Sequence, residues 1–164
     1  MIQPNTAEEM VDVMNLVSSL LKKENVFDSL EVSSKKRLFE LVGQAFQASE
    51  GVTAKEVFES LSSRERLGCT GLGHGIAIPH GRIKGLKETA CAFVRTEQPI
   101  DFDAPDSVPV DLLFILLAPA AATDVHLQIL AELAQMFSEK EMRDRLRAAP
   151  DAESLYNLIR EWTP

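Results

Sequence analysis

The chain has 164 residues, 45% of them apolar and 26% charged, a length that suits one well-buried domain and a balance that excludes a wholly disordered protein. A net charge of −8 disfavours nucleic acid or anionic lipid as a partner and favours a basic protein, and no run approaches the roughly 18 apolar residues of a membrane span. The opening MIQPNTAEEM has neither a basic start nor an apolar signal core, so a cytoplasmic protein without membrane insertion is expected.

Residues 1–6 are polar and are expected to be disordered. From there Met10, Val13, Met14, Val17, Leu20 and Leu21 recur at helical spacing, and Lys22 and Lys23 would close that helix where cations suit its dipole. The mixed segment ENVFDSLEV reads as an extended connection or a short edge strand. Ser33 or Ser34 then caps KKRLFELVGQAFQAS, whose Leu38, Leu41, Val42, Ala45 and Phe46 form one stripe. Thr53 and Glu56 match a capping box that opens a helix through Val57, Phe58 and Leu61, ending near Arg64.

LGCTGLGHG carries four glycines in nine residues and reads as a loop able to fold its amides around a ligand. Two strand-like runs follow, ACAFVRT at 90–96 and the nearly continuous apolar VDLLFILLAP at 110–119, the expected central strand. Thr123 or Asp124 caps the next helix, with Val125, Ile129, Leu130, Leu133, Met136 and Phe137 inward. KEMRDRLRAA and ESLYNLIREW are two further helical patterns. The pattern describes one α/β domain (α+β in some schemes) over 1–164, with helices on both sides of a sheet. Cys69 and Cys91 are too few for a zinc ligand set, and a disulfide is unnecessary at this size; they read as free thiols.

His80 stands where the apolar IAIP ends, between a proline that sets the incoming backbone and a glycine, Gly81, that permits close approach by another molecule. That setting favours an exposed ring, and a neutral imidazole is a competent nucleophile when its other nitrogen is held. His126, in the first turn of a helix, could donate to a phosphoryl oxygen. Arg64 offers a planar fork of donors matched to phosphate. Thr70, the amides of Gly71, Gly73 and Gly75, and the neighbouring His74 could complete an anion nest. Taken singly, each has an ordinary reading: His126 as a solvated first-turn residue, Arg64 as a cation at its helix C-terminus, His74 as a loop residue. The chain lacks a G-x-G-x-x-G after a strand, a G-x-x-x-x-G-K-[ST], an H-E-x-x-H and a nucleophile elbow, which removes most support for nucleotide, zinc or serine-hydrolase chemistry.

Together, SSRERLGCTGLGHGIAIPHGR, TEQPIDFDAPDSVPVDLLFILLAP and DVHLQILAELAQMF resemble the enzyme IIA components of the bacterial phosphoenolpyruvate phosphotransferase system, of the fructose/mannitol type and its nitrogen-regulatory branch. KKENVFDSLEVSSKKRLFELV reads like the same branch. The resemblance implies a type-2 enzyme IIA fold with a central mixed sheet, and no cofactor or metal. It implies that His80 takes a phosphoryl group at Nε2 from an HPr-like phosphocarrier (NPr), and that His126 and Arg64 are the other active-site residues. Where many relatives carry Asn this chain has His74, which alters phosphoryl stability near pH 6–7 if it approaches the group and is neutral if it points away. Two functions follow. One is a signal whose phosphorylation state selects targets such as kinases or potassium transporters; the other is a transport component passing phosphate to a separate IIB domain. A pure binding module is a third.

Overall fold

The computed structural model describes residues 15–121 and 124–164. Met10, Val13, Met14 and Thr123, and the side chain of Val125, lie outside the described residues. Six strands form one mixed sheet: β1 (Leu21–Leu30), β2 (Gly71–Gly73), β3 (Ile76–Ala77), β4 (His80–Ile83), β5 (Ala90–Ile100) and β6 (Val110–Pro119). Among the described residues five α-helices accompany them: α1 (Lys35–Glu50), α2 (Ala54–Leu67), α3 (Asp124–Ser138), α4 (Lys140–Ala148) and α5 (Ala152–Glu161). Strand order is β1-β5-β6-β3-β2, with β4 also on β6.

β6 is central, as its apolar run predicts. It pairs antiparallel with β5 on one side and parallel with β3 and β4 on the other, and every residue from Leu112 to Ala118 is buried. Alternation sorts its side chains. Leu112, Phe114 and Leu116 face one core with Ile129, Leu133, Met136 and Phe137 of α3 and with α4 and α5; Leu113, Ile115 and Leu117 face the other, with Leu38, Val42 and Phe46 of α1 and Val57 and Leu61 of α2. A strand covered on both faces needs no polar alternation, hence its uniform composition.

The caps follow their chemistry. Ser34 accepts from the Arg37 amide and Thr53 from the Glu56 amide, each satisfying an otherwise unpaired N–H of a first turn. Helix α2 runs one turn past the expected end at Arg64, to Leu67. Strand β5 extends beyond Thr96 to Ile100 across an irregularity between Arg95 and Ile100, which accommodates Pro99.

The described end of the expected first helix differs from expectation. Val17–Ser19 form only a 3-10 turn, and Leu21, Lys22 and Lys23 already belong to β1. The reason is tertiary: Leu21 and Val26 pair in parallel register with Cys91 and Phe93 and are buried, an arrangement that a helical period in isolation does not report. The edge strand foreseen at 24–32 is therefore ten residues long and begins earlier. Cys69 and Cys91 are free thiols, the second buried. No helix among the described residues is long and apolar enough to cross a membrane.

Candidate active site

Strands β3 and β4 lie along one line beside β6, interrupted at Ile78 and Pro79. Ile78 donates its amide to the Thr70 carbonyl, and Leu116 donates to the Pro79 carbonyl. Pro79 cannot donate to the ladder, so pairing breaks here and resumes with His80 opposite Leu116. The break gives His80 its orientation: its Nδ1 lies 2.8 Å from the Ile78 carbonyl, a bond that Nδ1–H alone can make. The Nε2 lone pair is thereby left available.

The ring is half-buried, not exposed as the sequence suggested. It faces His126 of α3, with ring centroids 5.8 Å apart and planes inclined at 54°. His126 is buried, which removes its reading as a solvated first-turn residue. Its Nδ1 is enclosed and has no hydrogen-bond partner among the described residues. A neutral ring protonated at Nε2 leaves only a lone pair unsatisfied there, which costs less than burying an unpaired N–H. The two imidazoles are then complementary, one offering a lone pair and the other a donor.

Both rings titrate below the ordinary histidine value. For His80, burial is the main cause, and the Arg64 charge adds to it, while the bond to the Ile78 carbonyl and Glu65 oppose it. For His126, burial again leads, followed by His80 and the Arg82 charge. Neutral rings at pH 7 are what a nucleophile and a neutral donor require.

These groups line a hollow of about 730 Å³ at the open edge of β4, between α2 and α3. Arg64 reaches it from α2, where its Nη1 also donates to the Gly68 carbonyl at 2.8 Å at the helix C-terminus. Arg82 and Lys84 line it as well, and Glu56 and Glu59 lie on its α2 side. Sequence reading missed Arg82 and Lys84. Strand period alone points to Arg82, two residues beyond His80 and on the same face.

The glycine-rich loop goes elsewhere. Thr70, Gly71, Gly73, His74 and Gly75 are not among the residues lining the hollow. Residues 71–77 instead form the short antiparallel β2–β3 pair, and both the amide and the hydroxyl of Thr70 are bonded to the Glu65 carboxylate. His74 is exposed, with φ +57, and donates its amide to Asp106. Because Ile76 lies opposite Leu112 and His80 opposite Leu116, this end of the loop sits about 13 Å farther along β6, at ~3.3 Å per residue. Among the described residues this loop contributes none of the groups that line the hollow. Gly75 has a different purpose: at φ +79, any Cβ would run into the Arg147 and Asp111 side chains, which are paired at 2.9 Å.

Gly81 also departs from its sequence reading. The space beside it is taken by Ser60 of α2, whose hydroxyl donates to the Arg82 carbonyl at 2.9 Å. The close approach is helix to strand. It brings Arg64 and His80 to the same hollow.

The model for "Phosphoenolpyruvate-dependent sugar phosphotransferase system, EIIA 2" matches residues 19–162. The nitrogen regulatory protein of Pseudomonas aeruginosa is 48% identical over 128 residues, 77% of this chain and 82% of that protein. The crystal structure of nitrogen regulatory protein IIA-Ntr from Neisseria meningitidis superposes with a TM-score of 0.85 at 45% identity, covering 88% of this chain and 99% of the other. IIA mannitol from Escherichia coli, at 21% identity and a TM-score of 0.70 over 84% of this chain and 97% of that one, shares the fold.

Proposed function

The chain belongs to the EIIA 2 family of the phosphoenolpyruvate-dependent sugar phosphotransferase system, and from that premise we propose that Nε2 of His80 accepts a phosphoryl group from an HPr-like phosphohistidine carrier (NPr). The observation that carries this reading is the pairing of a half-buried His80, tied through Nδ1 to a carbonyl, with a buried His126 across a hollow that Arg64 also lines.

The His80 Nε2–P bond forms as the carrier's N–P bond breaks, and that bond's electron pair returns to the carrier ring. The Ile78 carbonyl stabilises the positive charge that develops on the attacking imidazole through its Nδ1–H. The arriving group brings nearly two negative charges, which Arg64 and the Nε2–H of His126 meet from opposite walls. Removing one such donor should cost about 3–4 kcal/mol in transfer, by analogy with oxyanion sites. Phosphorylation then replaces a neutral ring by a dianion at the mouth of the hollow, enough to change which proteins bind there.

Resemblance to the nitrogen regulatory proteins favours a signalling role over sugar transport, with targets such as kinases or potassium transporters distinguishing the two forms. Incubation with carrier bearing labelled phosphohistidine tests the acceptor: wild type takes up one label and His80→Ala none. Stoichiometric labelling of His80→Ala would overturn the assignment. Rapid discharge of the label to a purified IIB domain would favour transport instead.

A further inference from the structure

Arg82 lies two residues beyond His80 on β4, so strand alternation turns both side chains to the face that α3 covers. Its backbone is in register with Ala118, and the β4–β6 pairing runs out at Ile83 and Pro119, where β6 ends in a residue with no amide proton to give. Beyond this point the side chain continues the attachment: Arg82 Nη1 donates to the carbonyl of Ala120 at 3.0 Å, in the connection that leads to α3. Six residues after Ala120, in the first turn of α3, stands His126.

We propose that Arg82 is a positioning residue for phosphoryl transfer to His80, holding the β6–α3 connection to β4 so that His126 faces the acceptor ring. This rests on the reading of His80 as acceptor. His80 and Arg82 stand on one strand, and the bond from Arg82 to Ala120 ties that strand to the chain that leads into α3, the helix that carries His126. The positive charge of Arg82 acts on His126 in the same sense as burial and His80, keeping the ring neutral. The other charged groups lining the hollow are Lys84 just past β4 and Glu56, Glu59 and Arg64 on α2; on His126's own helix the first turn also carries Asp124, which is not part of that lining. Because Arg82 is exposed, replacing it leaves both cores intact, and effects on transfer separate cleanly from effects on folding.

The test compares Arg82→Met and Arg82→Lys with wild type in transfer from the phosphorylated carrier. A displaced His126 lowers kcat about ten- to hundredfold in Arg82→Met, while KM for the carrier stays within about twofold. Lysine keeps both a donor and a charge, so Arg82→Lys recovers most of the loss. In NMR titrations the His126 ring of Arg82→Met moves to higher pH and that of Arg82→Lys stays near wild type, a shift that a merely structural role would not produce. An unchanged kcat in Arg82→Met, or a rise in KM alone, overturns the proposal, the second marking Arg82 as a docking contact. Absence of label on wild type would instead overturn the reading of His80; normal wild-type labelling with an indistinguishable Arg82→Met defeats only the present inference.

Discussion

Gly81→Ala probes the contact that brings His80 and Arg64 to one hollow. Gly81 has no positive φ, so alanine fits its backbone, and reduced chain entropy in the unfolded state would by itself stabilise the fold by about 0.4–1 kcal/mol. The new methyl, however, overlaps the Ser60 hydroxyl and comes within 3.2 Å of both the carbonyl carbon and the Cβ of Ser60. A serine rotamer change cannot clear the backbone, so α2 must retreat from β4 at an overpacking cost of about 1–3 kcal/mol. The Ser60 bond to the Arg82 carbonyl is lost with it, adding about 1 kcal/mol. The net destabilisation is about 1–3.5 kcal/mol, or a fall in Tm of roughly 2–14 °C for a chain of this size. Thermal unfolding of Gly81→Ala, Ser60→Ala and the double variant measures it. The double variant should recover about 1 kcal/mol, because the hydroxyl overlap disappears while the contacts to the Ser60 carbonyl carbon and Cβ remain. Carrier-dependent labelling of Gly81→Ala should slow as Arg64 is drawn away from His80. An unchanged or higher Tm in Gly81→Ala would refute the reasoning, since the backbone effect alone has that sign.

Three further outcomes follow from the same geometry. His80 and His126 both titrate below the ordinary value of 6.5, so the folded state binds fewer protons than the unfolded chain as acid is added; their contribution to stability is complete above pH 6.5 and is lost as pH falls through the folded values. Transfer rates should accordingly be flat from pH 8 through 6.5 and decline only below, and initial rates showing a midpoint above 6.5 would contradict this. His74→Asn should leave the labelling rate unchanged within about twofold at pH 6 and pH 7.5, because the ring is exposed on the loop that leaves the hollow and no charge is placed near the acceptor. Phe114→Ala removes a fully buried ring that packs 6.4 Å from both Phe93 and Phe137 and should cost about 3–5 kcal/mol in urea unfolding, whereas Leu127→Ala, 64% exposed, should leave the midpoint unchanged.

Much of the molecule was legible in one dimension. Local chemistry suffices for the Ser34 and Thr53 caps, because a cap needs only a side-chain oxygen near three unpaired amides. Central strand β6 could be read from its composition, because burial on both faces from Leu112 to Ala118 leaves no polar position in that run. His80, Arg64 and His126 could be nominated singly from residue type and from the elements that carry them. Period alone could not tell that Leu21–Lys23 would join a strand, because the deciding partner, β5, begins 67 residues after Lys23. Nor could glycine content reveal where the loop goes: Gly75 answers to Arg147 and Asp111, and Gly81 to Ser60, through contacts between distant segments. Only tertiary packing decided that three separately carried groups share one hollow, that Thr70 and the loop amides stay out of it, and that Arg82 enters it. Convergence depends on how α2 and α3 settle against opposite sides of the β4 edge, a relation made by long-range burial that no local pattern encodes.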